Sequence, residues 1–122
     1  MLHLVLHAVV PLLIALTFSR KEWLKIWLIL MATMLVDLDH LLASPIYDPN
    51  RCSIGFHPLH QWFAIVLYGM LCVLPVGRWA HVSNPYVNAI LRNLRWIGLG
   101  LIIHMVLDSI DCQVTNGVWY QS

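Results

Sequence analysis

The chain has 122 residues, of which 60% are hydrophobic and only 11% are charged. Soluble domains usually carry about 25% charged residues, so this composition excludes an ordinary soluble domain and predicts a membrane protein. The formal net charge of +1 argues against nucleic acid as a partner.

Four apolar stretches predict transmembrane helices within a single domain, residues 1–122. They cover about residues 2–18, 23–43, 58–76 and 90–111. Each is close to the roughly 20 residues that an α-helix needs to cross a bilayer. Gly98 and Gly100 would let the fourth helix pack closely on a neighbour. We therefore expect an all-α fold, a polytopic membrane protein built as a small four-helix transmembrane bundle.

Basic residues fall mainly beside the first and third connections between the predicted spans. The second connection, residues 44–56, holds only Arg51. The other six basic residues are Arg20, Lys21, Lys25, Arg78, Arg92 and Arg95. The positive-inside rule assigns such residues to the cytoplasmic side. We therefore expect a multi-pass protein of the bacterial cytoplasmic (inner) membrane, with both termini and the second connection facing outward.

Histidine and aspartate residues gather at the outward end of all four predicted spans. They are His3 and His7 in the first span, Asp37, Asp39 and His40 in the second, His57 and His60 at the start of the third, and His104, Asp108 and Asp111 in the fourth. Most are spaced three or four residues apart, so each pair shares a helix face. Asp39 is the exception, because a regular helix would rotate it away from Asp37. It would then lie at a helix end or support a ligand from outside the coordination sphere.

Each of these groups taken alone has a simpler explanation, such as a hydrogen-bonded core histidine or a solvated helix end. Together they bring four acids to one depth where the sole basic residue is Arg51, and a metal ion would supply the missing positive charge. The predicted ligands are His3, His7, Asp37, Asp39, His40, His57, His60, His104 and Asp108. Nitrogen and oxygen donors suit zinc, iron or manganese. We expect one or two Zn²⁺ ions, with iron or manganese as alternatives, and a dense outer shell if only one ion binds.

The cysteines suggest a link between the second connection and the fourth span. Cys52 and Cys112 both fall on the outward side, where a disulfide can persist and would fix the loop over the site. Free thiols and metal ligation are the alternatives. Cys72 lies inside the third span and is expected to be a packing residue.

The Asp and His segments also form a recognisable pattern. It consists of His7, Asp37-Leu38-Asp39-His40, His57-Pro58-Leu59-His60-Gln61 and His104-Met105-Val106-Leu107-Asp108, with Gly117 as the late glycine. In this pattern the sequence resembles the YdjM-like inner-membrane proteins, described as membrane-bound metal-dependent hydrolases. The second histidine pair is one residue closer here than in that family, and Gln61 stands where serine is usual. The resemblance implies a metal-dependent hydrolase.

The leading prediction is hydrolysis of a phosphoester or ester at the outer membrane face by metal-activated water. Asp39 or Asp111 would act as general base, and Arg51 would stabilise a phosphate or an oxyanion, unless it is only a solvated loop charge. A lipid-like substrate is expected because the site would open at headgroup depth among membrane lipids. Two alternatives stay open: a non-catalytic metal-binding protein for transport, sensing or structure, and a di-iron oxidoreductase. Whatever its function, so small a bundle could form a homo-oligomer.

Overall fold

The computed structural model describes residues 2–121, and all regular secondary structure within that range is helical. Helix α1 spans Leu2–Phe18. Helix α2 spans Trp23–Ala32 and continues directly into a 3₁₀ helix at Thr33–Leu42. After the second connection, a 3₁₀ turn at Pro58–His60 precedes α3 (Trp62–Val73), α4 (Val76–Trp79) and α5 (Pro85–Asn116). The predicted all-α class is confirmed.

The helix lengths differ from the four predicted spans. Within residues 2–121, α5 is the one helix long and apolar enough to cross a membrane by itself. Its 32 residues extend about 48 Å, beyond both predicted ends of the fourth span. Helices α1 and α3 are apolar but shorter, with 17 and 12 residues. The helix lengths alone therefore do not support four full-length spans.

The second predicted span changes helix type at Thr33. The Thr33 hydroxyl donates a hydrogen bond back to the carbonyl of Leu30, a contact that weakens a regular α-helix. From there to Leu42 the chain winds as a 3₁₀ helix, with three residues per turn. The third predicted span is interrupted as well, since Gln61 adopts an extended conformation between the 3₁₀ turn and α3.

Helix α5 lies at the centre of the fold and contributes to both buried apolar clusters. One cluster joins its Met105 and Cys112 to Ala64 and Tyr68 of α3. The other joins Ile103 and Leu107 to residues of α1 and α2: Ala15, Ile26 and Leu30. Helices α1, α2 and α3 therefore all pack against the helix that carries His104 and Asp108.

Two glycines of α5 allow this close packing, as the sequence predicts. A Cβ at Gly98 would lie 2.5 Å from the backbone nitrogen of Cys72 in α3, and one at Gly100 would lie 2.7 Å from Cγ2 of Thr33. His104 follows Gly100 by one helical turn, as Asp37 follows Thr33 by little more than one 3₁₀ turn. The approach at Gly100 therefore brings His104 and Asp37 together, with Nε2 and Oδ1 3.0 Å apart.

A disulfide ties the second connection to the last part of α5. Cys52 and Cys112 are bonded and buried, which confirms the predicted pairing, and Cys72 is the free cysteine. The Asn116 side chain donates to the carbonyl of Asn50 in the same loop. These contacts fix the connection beside the end of α5 that carries Asp108.

Candidate metal centre

Four side chains from three segments converge in the interior of the fold, and we call them the primary cluster. Asp37 comes from the 3₁₀ helix, His60 from the 3₁₀ turn, and His104 and Asp108 from α5. His60, His104 and Asp108 are buried, whereas the Asp37 side chain is 33% exposed. The cluster is therefore enclosed by protein except on the side of Asp37.

The spacing of the four donor atoms matches a tetrahedral metal site. His60 Nε2 lies 3.3 Å from Asp37 Oδ1 and 3.2 Å from Asp108 Oδ2. His104 Nε2 lies 3.0 Å and 3.4 Å from the same two oxygens, and the two nitrogens are 3.4 Å apart. A tetrahedron with metal–ligand bonds of about 2.0–2.1 Å has edges of about 3.3–3.4 Å. Five of its six edges are thus within a few tenths of an ångström of the ideal length.

Asp39 holds His60 in the orientation that a ligand needs. Its Oδ2 lies 3.2 Å from His60 Nδ1 and accepts a hydrogen bond from the backbone N–H of Leu59 at 2.8 Å. With Nδ1–H donating to this carboxylate, the Nε2 lone pair of a neutral His60 points into the primary cluster. A carboxylate on the far nitrogen is the usual support for a metal-ligating histidine. Because Asp39 is rotated away from Asp37 along the helix, it lies outside the donor set of the primary cluster and contacts the far side of the His60 ring.

The buried polar atoms of this region are left without enough partners by the protein itself. Asp108 Oδ2 is enclosed and lies close to two histidine nitrogens, yet makes no well-aligned hydrogen bond with either. Outside the four donors, His104 Nδ1 and Asp39 Oδ1 are also buried without a hydrogen-bond partner. An unpartnered buried polar atom costs about 1–3 kcal/mol, more if it is charged. A divalent cation among the four donors would compensate the Asp37 and Asp108 carboxylates. The residues present therefore fit a metal ion of the zinc, iron or manganese type.

A second set of donors, which we call the secondary cluster, shares Asp108 with the primary cluster. His3 Nε2 and His7 Nε2 of α1 lie 3.6 Å and 3.3 Å from Asp108 Oδ1. His7 Nδ1 lies 2.8 Å from the carbonyl oxygen of His3, which can only accept a hydrogen bond. His7 Nδ1 therefore carries the proton, and its buried Nε2 has no hydrogen-bond partner.

A third set, Asp39, His40 and His57, is less available to a metal. His40 Nδ1 lies 2.9 Å from the carbonyl oxygen of Asp37, and His40 Nε2 lies 2.9 Å from the Ser53 hydroxyl. Both ring nitrogens are thus used within the protein. Burial, followed by the proximity of His40, lowers the pKa of His57 to about 4, so its ring is neutral at neutral pH. This set joins the 3₁₀ helix to the loop above it.

A family model matches residues 1–84, which contain seven of the nine predicted ligands. The chain belongs to the family of unknown function DUF6122. The matched part of the chain ends before α5 and so does not include His104 and Asp108. The match names no activity and gives no link to the YdjM-like proteins, so that resemblance stays a prediction. No curated protein and no solved structure matches the chain.

Two of the predicted catalytic residues lie outside the three sets. The Arg51 guanidinium donates to the carbonyls of Pro45 and Ile46 and stacks on the Phe56 ring at 4.6 Å. Arg51 therefore braces the second connection, and the oxyanion role stays a prediction. Asp111 is 53% exposed, with its Oδ1 3.7 Å from His3 Nδ1 at the edge of the secondary cluster.

Three features of the centre have no signal in the sequence. These are the hydrogen bond between Ser53 and His40, the support of Asp39 by a backbone N–H, and the position of Asp108 between two sets of histidines. Each depends on contacts between segments far apart in the chain. The periodicity that relates His104 to Asp108 within one helix cannot reveal them.

Proposed function

We propose that this chain is an integral-membrane metal-dependent hydrolase that acts on a phosphoester or ester of a lipid-like substrate. The observation that carries the proposal is the tetrahedral spacing of the four donor atoms in the primary cluster. A hydrogen-bonded network could also hold these side chains together. It would not by itself direct two imidazole nitrogens and two carboxylate oxygens towards one point.

The charge balance supports a divalent ion in this cluster. Two carboxylates and two neutral imidazoles carry a charge of −2, which one divalent cation neutralises. Isolated charges are costly to bury, so a neutral assembly suits an enclosed site. Zn²⁺ suits the tetrahedral arrangement of nitrogen and oxygen donors best, and iron and manganese accept the same donor types.

The surface of the bundle supports a position within a membrane. Large apolar side chains are exposed along the outer faces of the three helices that surround α5, among them Leu4, Leu13, Leu28, Phe63 and Leu67. Extended exposed apolar surfaces of this kind are typical of membrane or protein contacts. Together with α5, these segments would form a multi-pass bundle in the cytoplasmic membrane of a bacterium.

The direction of insertion follows from the basic residues and the disulfide. The positive-inside rule assigns the end with Arg78, Arg92 and Arg95 to the cytoplasm. The Cys52–Cys112 disulfide belongs at the opposite end, where it would face an oxidising compartment. The metal centre would then lie at the outer face, at the depth of the lipid headgroups.

In such a site the ion would act as a Lewis acid and would lower the pKa of a water molecule for attack on the substrate. Asp37 would hold the ion on the open side of the primary cluster. Asp111 is the exposed carboxylate beside the secondary cluster and is placed to accept a proton as general base. Asp39 would keep the His60 ring in position.

A non-catalytic metal-binding role is the second candidate. The primary cluster already offers four protein donors, and four-coordinate zinc sites of this kind are usually structural. Such a site would cross-link the segments of the bundle without leaving a position for water. The two candidates agree on metal binding and differ on activity.

The test is elemental analysis of protein purified in detergent without added metal, together with phosphoester and carboxylic ester hydrolysis assays. The wild type should hold a transition metal. The control His81→Ala should hold it as well, because His81 is an exposed histidine that belongs to none of the three sets. His104→Ala and Asp37→Ala should hold less metal than the wild type and should lose any hydrolysis. A wild type without transition metal refutes the proposal. Bound metal without hydrolysis of either substrate class favours the non-catalytic role.

A further inference from the structure

We propose that the centre binds two divalent ions and that the Asp108 carboxylate bridges them. The second ion would be held by the secondary cluster, His3, His7 and Asp108. This inference rests on the proposed metal centre and adds to it the number of ions and the place where a substrate would bind.

The two oxygens of Asp108 face different histidine pairs. Oδ1 lies 3.3 Å from His7 Nε2 and 3.6 Å from His3 Nε2, both on α1. Oδ2 lies 3.2 Å from His60 Nε2 and 3.4 Å from His104 Nε2. A carboxylate that only completed one site would not need a second pair of nitrogens at its other oxygen. This division is the arrangement expected of a bridging ligand in a two-metal site.

The orientation of the His7 ring suits a cation at the secondary cluster. Its Nδ1 donates a hydrogen bond to the carbonyl of His3, so Nε2 is the ring nitrogen that faces Asp108 Oδ1, 3.3 Å away. A cation placed between these two atoms would be bound by both. A carbonyl on the far nitrogen is also a common support for a metal-ligating histidine.

The number of carboxylates favours two ions over one. Four acidic side chains surround the centre: Asp37, Asp39, Asp108 and Asp111. The nearest basic side chain of the second connection, Arg51, is bound to loop carbonyls. One divalent ion would leave a charge of −2 around the centre, whereas two ions would balance the four carboxylates.

The secondary cluster leaves room for a substrate. It supplies three protein donors, one fewer than a closed tetrahedral site, and catalytic zinc sites typically keep such an open position. His3 is 34% exposed, and a cavity of about 100 Å³ lies beside it, lined by Leu6, Leu107, Ile110 and Asp111 among others. The apolar lining suits the hydrocarbon part of a lipid-like ester. We therefore assign substrate binding to the second ion and a mainly structural role to the first.

The experiment is zinc stoichiometry, measured by elemental analysis of protein stripped with chelator, reloaded with Zn²⁺ and freed of excess by gel filtration. The wild type should hold two ions per chain, and so should the matched control His81→Ala. His3→Ala should hold one, and so should His7→Ala. His3 is the safer position because its side chain is partly exposed. One ion in the wild type overturns the inference but leaves the proposed function standing, whereas no ion in the wild type overturns both.

The His3→Ala protein decides the assignment of the second ion. One retained ion supports the inference and also shows that the primary cluster has folded. Two retained ions, or none, overturn it. Loading with Mn²⁺ tests the bridge separately by electron paramagnetic resonance. The wild type should give an exchange-coupled spectrum and His3→Ala the six-line spectrum of an isolated ion, and an uncoupled wild type that holds two ions contradicts bridging by Asp108.

Discussion

The two ends of the bundle are held together by different forces. At the histidine end, which contains the primary and secondary clusters, ionisable side chains converge in the interior and are supported by a disulfide and by backbone hydrogen bonds. At the arginine end, which contains Arg78, Arg92 and Arg95, the polar groups stay at the rim. There Arg95 Nε donates to the carbonyl of Cys72, and the Phe18 and Trp96 rings pack edge to face at 5.0 Å.

This difference shows what buried charge requires of a small bundle. The arginine end surrounds an open cavity of about 680 Å³ and needs only apolar packing and close helix contact at glycines. The histidine end must offset the cost of desolvating several carboxylates, which packing alone cannot do. A covalent tie, fixed tautomers and bound cations meet that requirement. Changes at the histidine end should therefore affect metal binding, and changes at the arginine end should affect stability alone.

The largest effect is expected from removing the disulfide. Its cysteines are 60 residues apart, and closing a loop of that length restricts the unfolded chain by about 4 kcal/mol. The double variant Cys52→Ser/Cys112→Ser should lose free energy of unfolding of about that size, measured by denaturant titration in detergent, and should hold less metal. The control is Cys72→Ser, which removes the free thiol at the arginine end. Equal stability and metal content in both proteins would contradict a role for the disulfide in supporting the centre.

A smaller effect is expected from Asp39→Asn. The amide is close in size to the carboxylate but carries no charge, so it supports His60 less well as a ligand. Loss of such a support usually reduces metal affinity by about 10–100-fold. Competition with a chromogenic chelator measures this change. Asp48→Asn, a loop substitution outside the clusters, is the control and should leave the affinity as it is. Wild-type affinity in Asp39→Asn would mean that Asp39 does not support a ligand.

The smallest effect is expected from comparing alanine substitutions at two helical glycines, Gly98 and Gly69, outside the clusters. A Cβ at Gly98 would lie 2.5 Å from the Cys72 backbone nitrogen, whereas one at Gly69 would have no neighbour within 4 Å. Both glycines are helical, so the gain in helix propensity cancels between the two alanine variants. Gly98→Ala should therefore be less stable than Gly69→Ala by about 1 kcal/mol or more in denaturant titration. Both should bind as much zinc as the wild type, and a loss of zinc in Gly98→Ala would show that the two ends are coupled.

Local patterns were sufficient to predict part of the fold. The apolar run before Ser19 predicts a helix over residues 2–18, and α1 spans Leu2–Phe18. The run from Trp23 predicts one helix to residue 43, but a 3₁₀ helix begins at Thr33. That change depends on the Thr33 hydroxyl and on contact with Gly100 of α5, which is distant in the sequence. A hydropathy pattern contains no information on either contact, so it cannot predict the change of helix type at Thr33.

The candidate site was predictable as a set of residues but not as an arrangement. Helical spacing places His104 and Asp108 on one face, and both lie in the primary cluster. The same argument pairs Asp37 with His40, and His40 Nδ1 does lie 3.4 Å from Asp37 Oδ1, but the His40 ring makes its hydrogen bonds with the Asp37 carbonyl and with Ser53. Tautomers and carboxylate orientations depend on the three-dimensional neighbours of each group. Spacing along one helix therefore cannot assign them.

The disulfide also divides the chain into a part that stays covalently closed when the protein unfolds and a part that does not. The covalent loop from Cys52 to Cys112 includes His60, His104 and Asp108, whereas Asp37, His3 and His7 lie before it. Metal ligation would therefore add to the hydrogen bonds by which Asp39 and His40 already join the first part of the chain to the closed loop. Chelation would therefore remove links between these two parts of the chain, whereas reduction would open the loop itself. The candidate centre thus takes its residues from both sides of Cys52, so a bound ion would be a removable cross-link between them.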